Sequence, residues 1–145
     1  IAKTVQRDFL VSSEELEALR IESGVPKFGA DIGPKTLAPE LGESFVRRTI
    51  SENKGCYVGQ EVIHRIHSRG HTNRTWCYLR CESAVKAGSD IVNDQGEVCG
   101  KVTSSAISPR EGPIAAGMIR NKWTSIGTIL TAEGVRAMVD EFPRA

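Results

Sequence analysis

Residues 53–65 read NKGCYVGQEVIHR, and Cys56 stands in them between Gly55 and Gly59, directly after Lys54-Gly55. A cysteine used for packing ordinarily sits inside an apolar strand or helix. A polar, glycine-punctuated loop gives the thiol another use, because the thiolate is the nucleophile and the metal ligand. A neighbouring lysine and a following helix N-terminus both favour that thiolate. Cys56 and Lys54 are therefore candidates for chemistry, with simple packing of Cys56 as the alternative. Nucleophilic catalysis would also need a base within hydrogen-bond reach. Only His64, His67 and His71 are available, and spacing alone does not set them against the sulfur.

The histidines raise the question of a metal. His64 and His67 share a helix face and could chelate, with Cys77 and Cys81 close in sequence. On a strand those two cysteines share a face but stand ~13 Å apart at ~3.3 Å per residue. Two thiolates bound to one zinc at ~2.3 Å each cannot be so far apart. The expectation is surface histidines and sheet-core cysteines, and no metal site is assigned. Glu22 ends a helical run and opens a loop dense in Gly24, Pro26, Gly29, Gly33, Pro34 and Pro39. A carboxylate there can accept two N–H donors side by side, as from the guanidine-like edge of a heterocycle. The plain alternative is a solvated helix end. Glu61 and Arg65, one turn apart, suit a surface pair; Arg65, Arg69, Arg74 and Lys54 could instead hold a carboxylate or phosphate.

These residues need elements to position them. Ser12-Ser13-Glu14-Glu15 ahead of Leu16 and Leu19 forms a capping box opening a short helix. Residues 22–40 make a long shaped loop, and FVRRTI (45–50) suits a short strand. From Val58 to Arg69 the pattern is helical, with Val58, Val62 and Ile66 on one stripe and Gly70 as the stop. TWCYLRC (75–81) alternates as a strand does. SDIVNDQGEVCGKVTSSAIS holds two strands around a turn, and PIAAGMIR and GTILTAEG are two more. Five or six antiparallel strands over 73–145 predict a small barrel or sandwich, with a boundary near residue 72.

The composition is globular, 39% hydrophobic and 26% charged, with a net charge of +1. No apolar run approaches the roughly 18 residues of a membrane span. Residues 45–80 hold seven Lys/Arg against two Asp/Glu, so an anionic ligand or RNA would be drawn to the middle third, although a solvated basic face reads the same way. The four cysteines do not have the spacing of a disulfide scaffold, which favours reduced thiols and a cytoplasmic setting. The N-terminus, IAKTVQRDFL, lacks an initiator Met and a signal-peptide core, and reads as starting inside a longer polypeptide.

KGCYVGQEVIHRI (54–66) resembles the signature K-G-C-[FY]-x-G-Q-E of the YgfZ-type folate-binding proteins, relatives of the glycine-cleavage aminomethyltransferase, or T-protein. LRIESGVPKFGADI (19–32), RGHTNR (69–74) and GEVCGKVTSSAISP (96–109) are similar to further segments of these groups. The resemblance implies an α+β fold: the end of a central module over 1–72, then a small antiparallel β-barrel over 73–145. It implies tetrahydrofolate or a derivative as cofactor, with Glu22 receiving the pterin N–H groups and Arg65, Tyr57, Gln60 and Glu61 near the folate. It links Cys56 to the making or repair of iron–sulfur enzymes, and through them to tRNA modification. The implied partners are iron–sulfur client or assembly proteins and the N-terminal half of a parent, without direct nucleic-acid or membrane contact. The chain would be roughly the C-terminal 40–50% of a member. Two alternatives stay open, a folate-dependent aminomethyltransferase and a zinc- or RNA-binding module.

Overall fold

The computed structural model describes residues 11–51, 54–70 and 72–144. Three α-helices, α1 (Ser13–Glu22), α2 (Glu43–Thr49) and α3 (Gln60–Arg69), precede six strands: β1 (Arg74–Cys81), β2 (Asp90–Val92), β3 (Val98–Ser108), β4 (Gly112–Arg120), β5 (Ile129–Ala132) and β6 (Val135–Asp140). The strands close into an antiparallel barrel in the order β1-β4-β3-β2-β5-β6. The predicted hairpin is present as β2 and β3, paired from Asp90↔Lys101 to Val92↔Val98. The expected α+β architecture with a small barrel is what the chain forms.

Two apolar clusters divide the faces of the barrel wall. Cys77, Leu79 and Cys81 of β1 point inward with Ile91, Val102, Ala115, Ile119, Leu130 and Val139. The alternate residues Trp76 and Tyr78 point outward, yet they are just as buried, under Ala18 and Ile21 of α1. Period-two alternation puts successive side chains on opposite faces, and here the helix covers the second face. Phe142 completes that cover, stacked on Trp76 at 4.7 Å between ring centroids. Cys77 and Cys81 are therefore enclosed in the sheet core, as expected, each 7% exposed, and Cys99 is enclosed with them at 1%.

The helical part begins as predicted. Ser12 caps α1, its Oγ accepting from the Glu15 backbone N–H at 3.1 Å while Glu15 Oε2 accepts from the Ser12 N–H at 2.9 Å. Two expectations are corrected. FVRRTI is not a strand: residues 43–49 form α2, which follows Gly42 and packs against the 3₁₀ turn Ala38–Leu41. Phe, Val, Thr and Ile favour strands only weakly, and docking against neighbours overrides such preferences. The apolar stripe of α3 is also displaced. Val58 precedes the helix and is fully exposed, and Val62 is half exposed, whereas Ile63 and Ile66 face α2 across a groove. No helix among the described residues is long and apolar enough to cross a membrane.

Candidate functional site

The predicted site residues fall into two groups, and among the described residues no hydrogen bond or ion pair joins them. The first group is the cysteine segment. Gly59, at φ 91°, makes the left-handed turn into α3, a conformation in which a side chain would be strained. Gln60 and Tyr57 close the helix start reciprocally: the Tyr57 N–H donates to Gln60 Oε1 at 3.3 Å, and the Gln60 N–H to the Tyr57 carbonyl at 3.2 Å. Lys54 lays its ammonium over the Tyr57 ring, 4.7 Å from the centroid. Glu61 and Arg65 form the expected surface pair at 2.7 Å. Cys56 lies exposed in the same loop, three residues before the helix cap Gly59. His64 lies on α3; His71 and the side chains of His67 and Arg69 lie outside the described residues. Arg74 is drawn away from any ligand role by Glu40, whose carboxylate it grips at 2.9 and 3.1 Å.

This arrangement separates the thiols by accessibility. Burial raises the Cys77 thiol to about 12 and the Cys81 thiol to about 11, and pushes Cys99 up as well. The buried three thus stay protonated and shielded at pH 8, and the thiolate is the reactive form. Iodoacetamide on the native chain is expected to modify one cysteine, Cys56, and all four in denaturant. Peptide mass spectrometry finding Cys77 or Cys81 modified natively would contradict the enclosed core.

The second group surrounds Glu22, which the packing of α1 on the barrel drives to 3% exposure. Its carboxylate is not left unpaired. Oε1 accepts from the Ser108 hydroxyl at the end of β3, and Oε2 accepts from Arg144 Nε at 2.7 Å. The Ser108 oxygen in turn accepts the backbone N–H groups of Arg110 and Glu111, both at 3.0 Å. Its single proton therefore points at Glu22. A groove of about 390 Å³, lined by Glu22, Glu15, Leu19, Pro109, Arg110 and Arg144, opens over this carboxylate. Small-molecule sites span about 300–1,000 Å³. Ser108 lay within the segment 96–109 singled out from sequence, but Arg144 carried no signal there.

A third set of residues fixes this geometry and was not anticipated. Asp31, 3% exposed, accepts from Arg20 Nη1 at 2.8 Å, the Lys27 N–H at 2.9 Å, Trp76 Nε1 at 3.1 Å and Ser104 Oγ at 2.8 Å, and also bonds Thr103 Oγ1. Adjacent strand residues normally point to opposite faces, but the register shift between Val102 and Ser104 turns Thr103 and Ser104 to the same carboxylate. Arg20 also donates to Glu17 at 2.6 Å and to the Val25 carbonyl at 2.8 Å. Asp31 and Arg20 thereby staple the loop after Glu22 to the barrel.

The site is thus a closed six-stranded antiparallel barrel, covered by a helix that places a buried glutamate beside a groove. Residues 74–139 match the glycine cleavage T-protein C-terminal barrel domain. The chain is 32% identical over 137 residues to the mitochondrial aminomethyltransferase of Canis lupus familiaris, covering 88% of this chain and 33% of that protein. It is 33% identical over 88 residues to the tRNA-modifying protein YgfZ of Enterobacter sp. (strain 638), covering 59% of this chain and 27% of that protein. The crystal structure of the glycine cleavage system aminomethyltransferase T from Bartonella henselae shares the fold, with a TM-score of 0.70 at 22% identity, covering 89% of this chain and 37% of that one. The barrel is thus of the glycine-cleavage T-protein C-terminal type, and the chain as a whole is similar to an aminomethyltransferase and to a YgfZ protein. The alignments span about a third or less of the length of these curated relatives.

Proposed function

We propose that this chain is the C-terminal part of a tetrahydrofolate-binding protein, its residues 1–72 ending the folate module and 73–145 forming the barrel. The observation that carries the reading is the donor set at Glu22. A buried carboxylate that accepts a guanidinium N–H and a hydroxyl, under an open groove, suits the guanidine-like edge of a pterin. When bound, the folate would supply the capacity to carry a one-carbon unit. Glu22 would orient the pterin, and the segment of Lys54, Tyr57, Gln60, Glu61 and Arg65 would lie toward the rest of the cofactor.

Within that frame we favour an accessory role in iron–sulfur cluster assembly or repair, acting through Cys56, with a downstream effect on tRNA modification and a cytoplasmic setting. The exposed thiol in KGCYVGQE supports it, as does the similarity to a YgfZ protein. The aminomethyltransferases among the relatives support a second reading, a folate-dependent aminomethyltransferase. The zinc- or RNA-binding alternative gains nothing from Cys77, Cys81 and Cys99, which are committed to the core. Calorimetric titration with tetrahydrofolate tests the common part. Saturable binding is expected for the wild type and for Cys56→Ala, with at least a tenfold loss in Glu22→Gln, about the worth of one charge-assisted hydrogen bond. Equal binding by Glu22→Gln would remove Glu22 from the site.

A further inference from the structure

The two oxygens of Glu22 are held by partners of different kinds. Oε1 faces Ser108, whose hydroxyl proton is directed by the Arg110 and Glu111 N–H groups and has no other task. Oε2 faces Arg144, whose side chain is 38% exposed against 4% for Glu22. The main chain of Arg144 is anchored independently, its N–H donating to the Glu22 carbonyl at 3.0 Å. The guanidinium can therefore leave the carboxylate without unravelling the segment that carries it. Arg110 and Arg144 both line the groove.

We propose that Arg144 is an internal competitor for the ligand. Its guanidinium fills the position on Glu22 that a guanidine-like ligand edge would take, and binding requires its displacement. The proposal rests on the reading that Glu22 receives such an edge. It adds that the affinity of the site is set by this exchange, because a ligand binding only the opened form is weakened by the fraction of molecules that are open. Oε2 is the exchangeable acceptor and Oε1 the fixed one. The site thus selects a ligand that offers N–H donors in the plane of the carboxylate, as a 2-amino-4-oxo heterocycle or a guanidinium does, over one that offers a single hydroxyl.

Two probes separate the proposal from the folate reading. Methylguanidinium reports only on the position that Arg144 vacates, and tetrahydrofolate reports on the whole ligand. The 145-residue chain is compared with Arg144→Ala and with Arg144→Ala/Glu22→Gln. Arg144→Ala is expected to bind methylguanidinium saturably where the wild type and the double variant do not. It should also bind tetrahydrofolate about tenfold tighter than the wild type, the worth of one charge-assisted hydrogen bond. Methylguanidinium binding that does not distinguish the three proteins overturns the proposal. Weaker or unchanged tetrahydrofolate binding by Arg144→Ala overturns it too, the weaker result making Arg144 a ligand contact. If methylguanidinium behaves as expected but tetrahydrofolate binds no variant, the competitor stands and the folate reading falls. Should Arg144→Ala fail to fold, Arg144→Gln keeps one neutral donor on Glu22, and both probes are read on it with a smaller gain, about threefold for tetrahydrofolate.

Discussion

Replacing Asp31 by Ala is expected to destabilise the chain by about 3–5 kcal/mol, the cost of removing one partner from a buried ion pair. Arg20, with its side chain only 13% exposed, keeps Glu17 but loses its contact to the fully buried Asp31 carboxylate. Trp76 Nε1 loses one of its two acceptors, keeping Thr103 Oγ1 at 3.1 Å. The Lys27 N–H and the Ser104 hydroxyl lose their carboxylate partner as well. Urea unfolding followed by tryptophan fluorescence measures the loss, and the melting temperature should fall by about 10 °C. The same variant should loosen the loop after Glu22 and weaken any ligand bound there. A change under about 1 kcal/mol would show that the loop is held by its glycines and prolines rather than by this carboxylate.

Gly100→Ala is the second large effect. Gly100 pairs with Ile119 across β3 and β4, and a methyl group there would lie 2.6 Å from the Met118 carbonyl oxygen and 3.0 Å from Ile119 Cα. Both are backbone atoms and cannot rotate away, so the strands must part. Forcing a group into such packing costs about 2–3 kcal/mol. Gly55→Ala is the control, since a methyl group there meets nothing within 4 Å, and its effect should stay within about 0.5 kcal/mol. Equal midpoints for the two variants in chemical denaturation would mean that the barrel wall is more pliant than its register indicates.

What could be read from the residues was local. The Ser12–Glu15 cap, the Asn-Asp-Gln-Gly hairpin and the alternation of TWCYLRC each depend on neighbours a few positions apart, and each is present. FVRRTI misled because its side chains suit a strand, while the helix is settled by contacts with the turn at Ala38–Leu41. Val58 misled because the helix starts two residues later than its stripe requires. Glu22 was legible as a carboxylate at the mouth of a loop. Its partner Arg144 lies 122 positions away, and no periodicity reaches so far. The Asp31 hub was hidden for the same reason, with Thr103 and Ser104 72 and 73 positions distant. Chemistry-bearing residues were visible; their long-range partners were not.

The closure of the barrel bears on how the chain comes to be folded. β1 pairs with β4 on one side and with β6 on the other, from Tyr78↔Asp140 to Cys81↔Ala137. The first strand of the barrel therefore meets the last to be made. Pairings between sequence-distant strands form slowly, because the chain entropy is lost before the contacts are gained. On a ribosome, β1 and β5 would each present an unpaired edge until Val135–Asp140 emerges, and such edges recruit other chains. The six residues of β6 remove both edges in one step. Its synthesis is thus the event that ends the period in which a nascent chain is most exposed to aggregation and most in need of a chaperone.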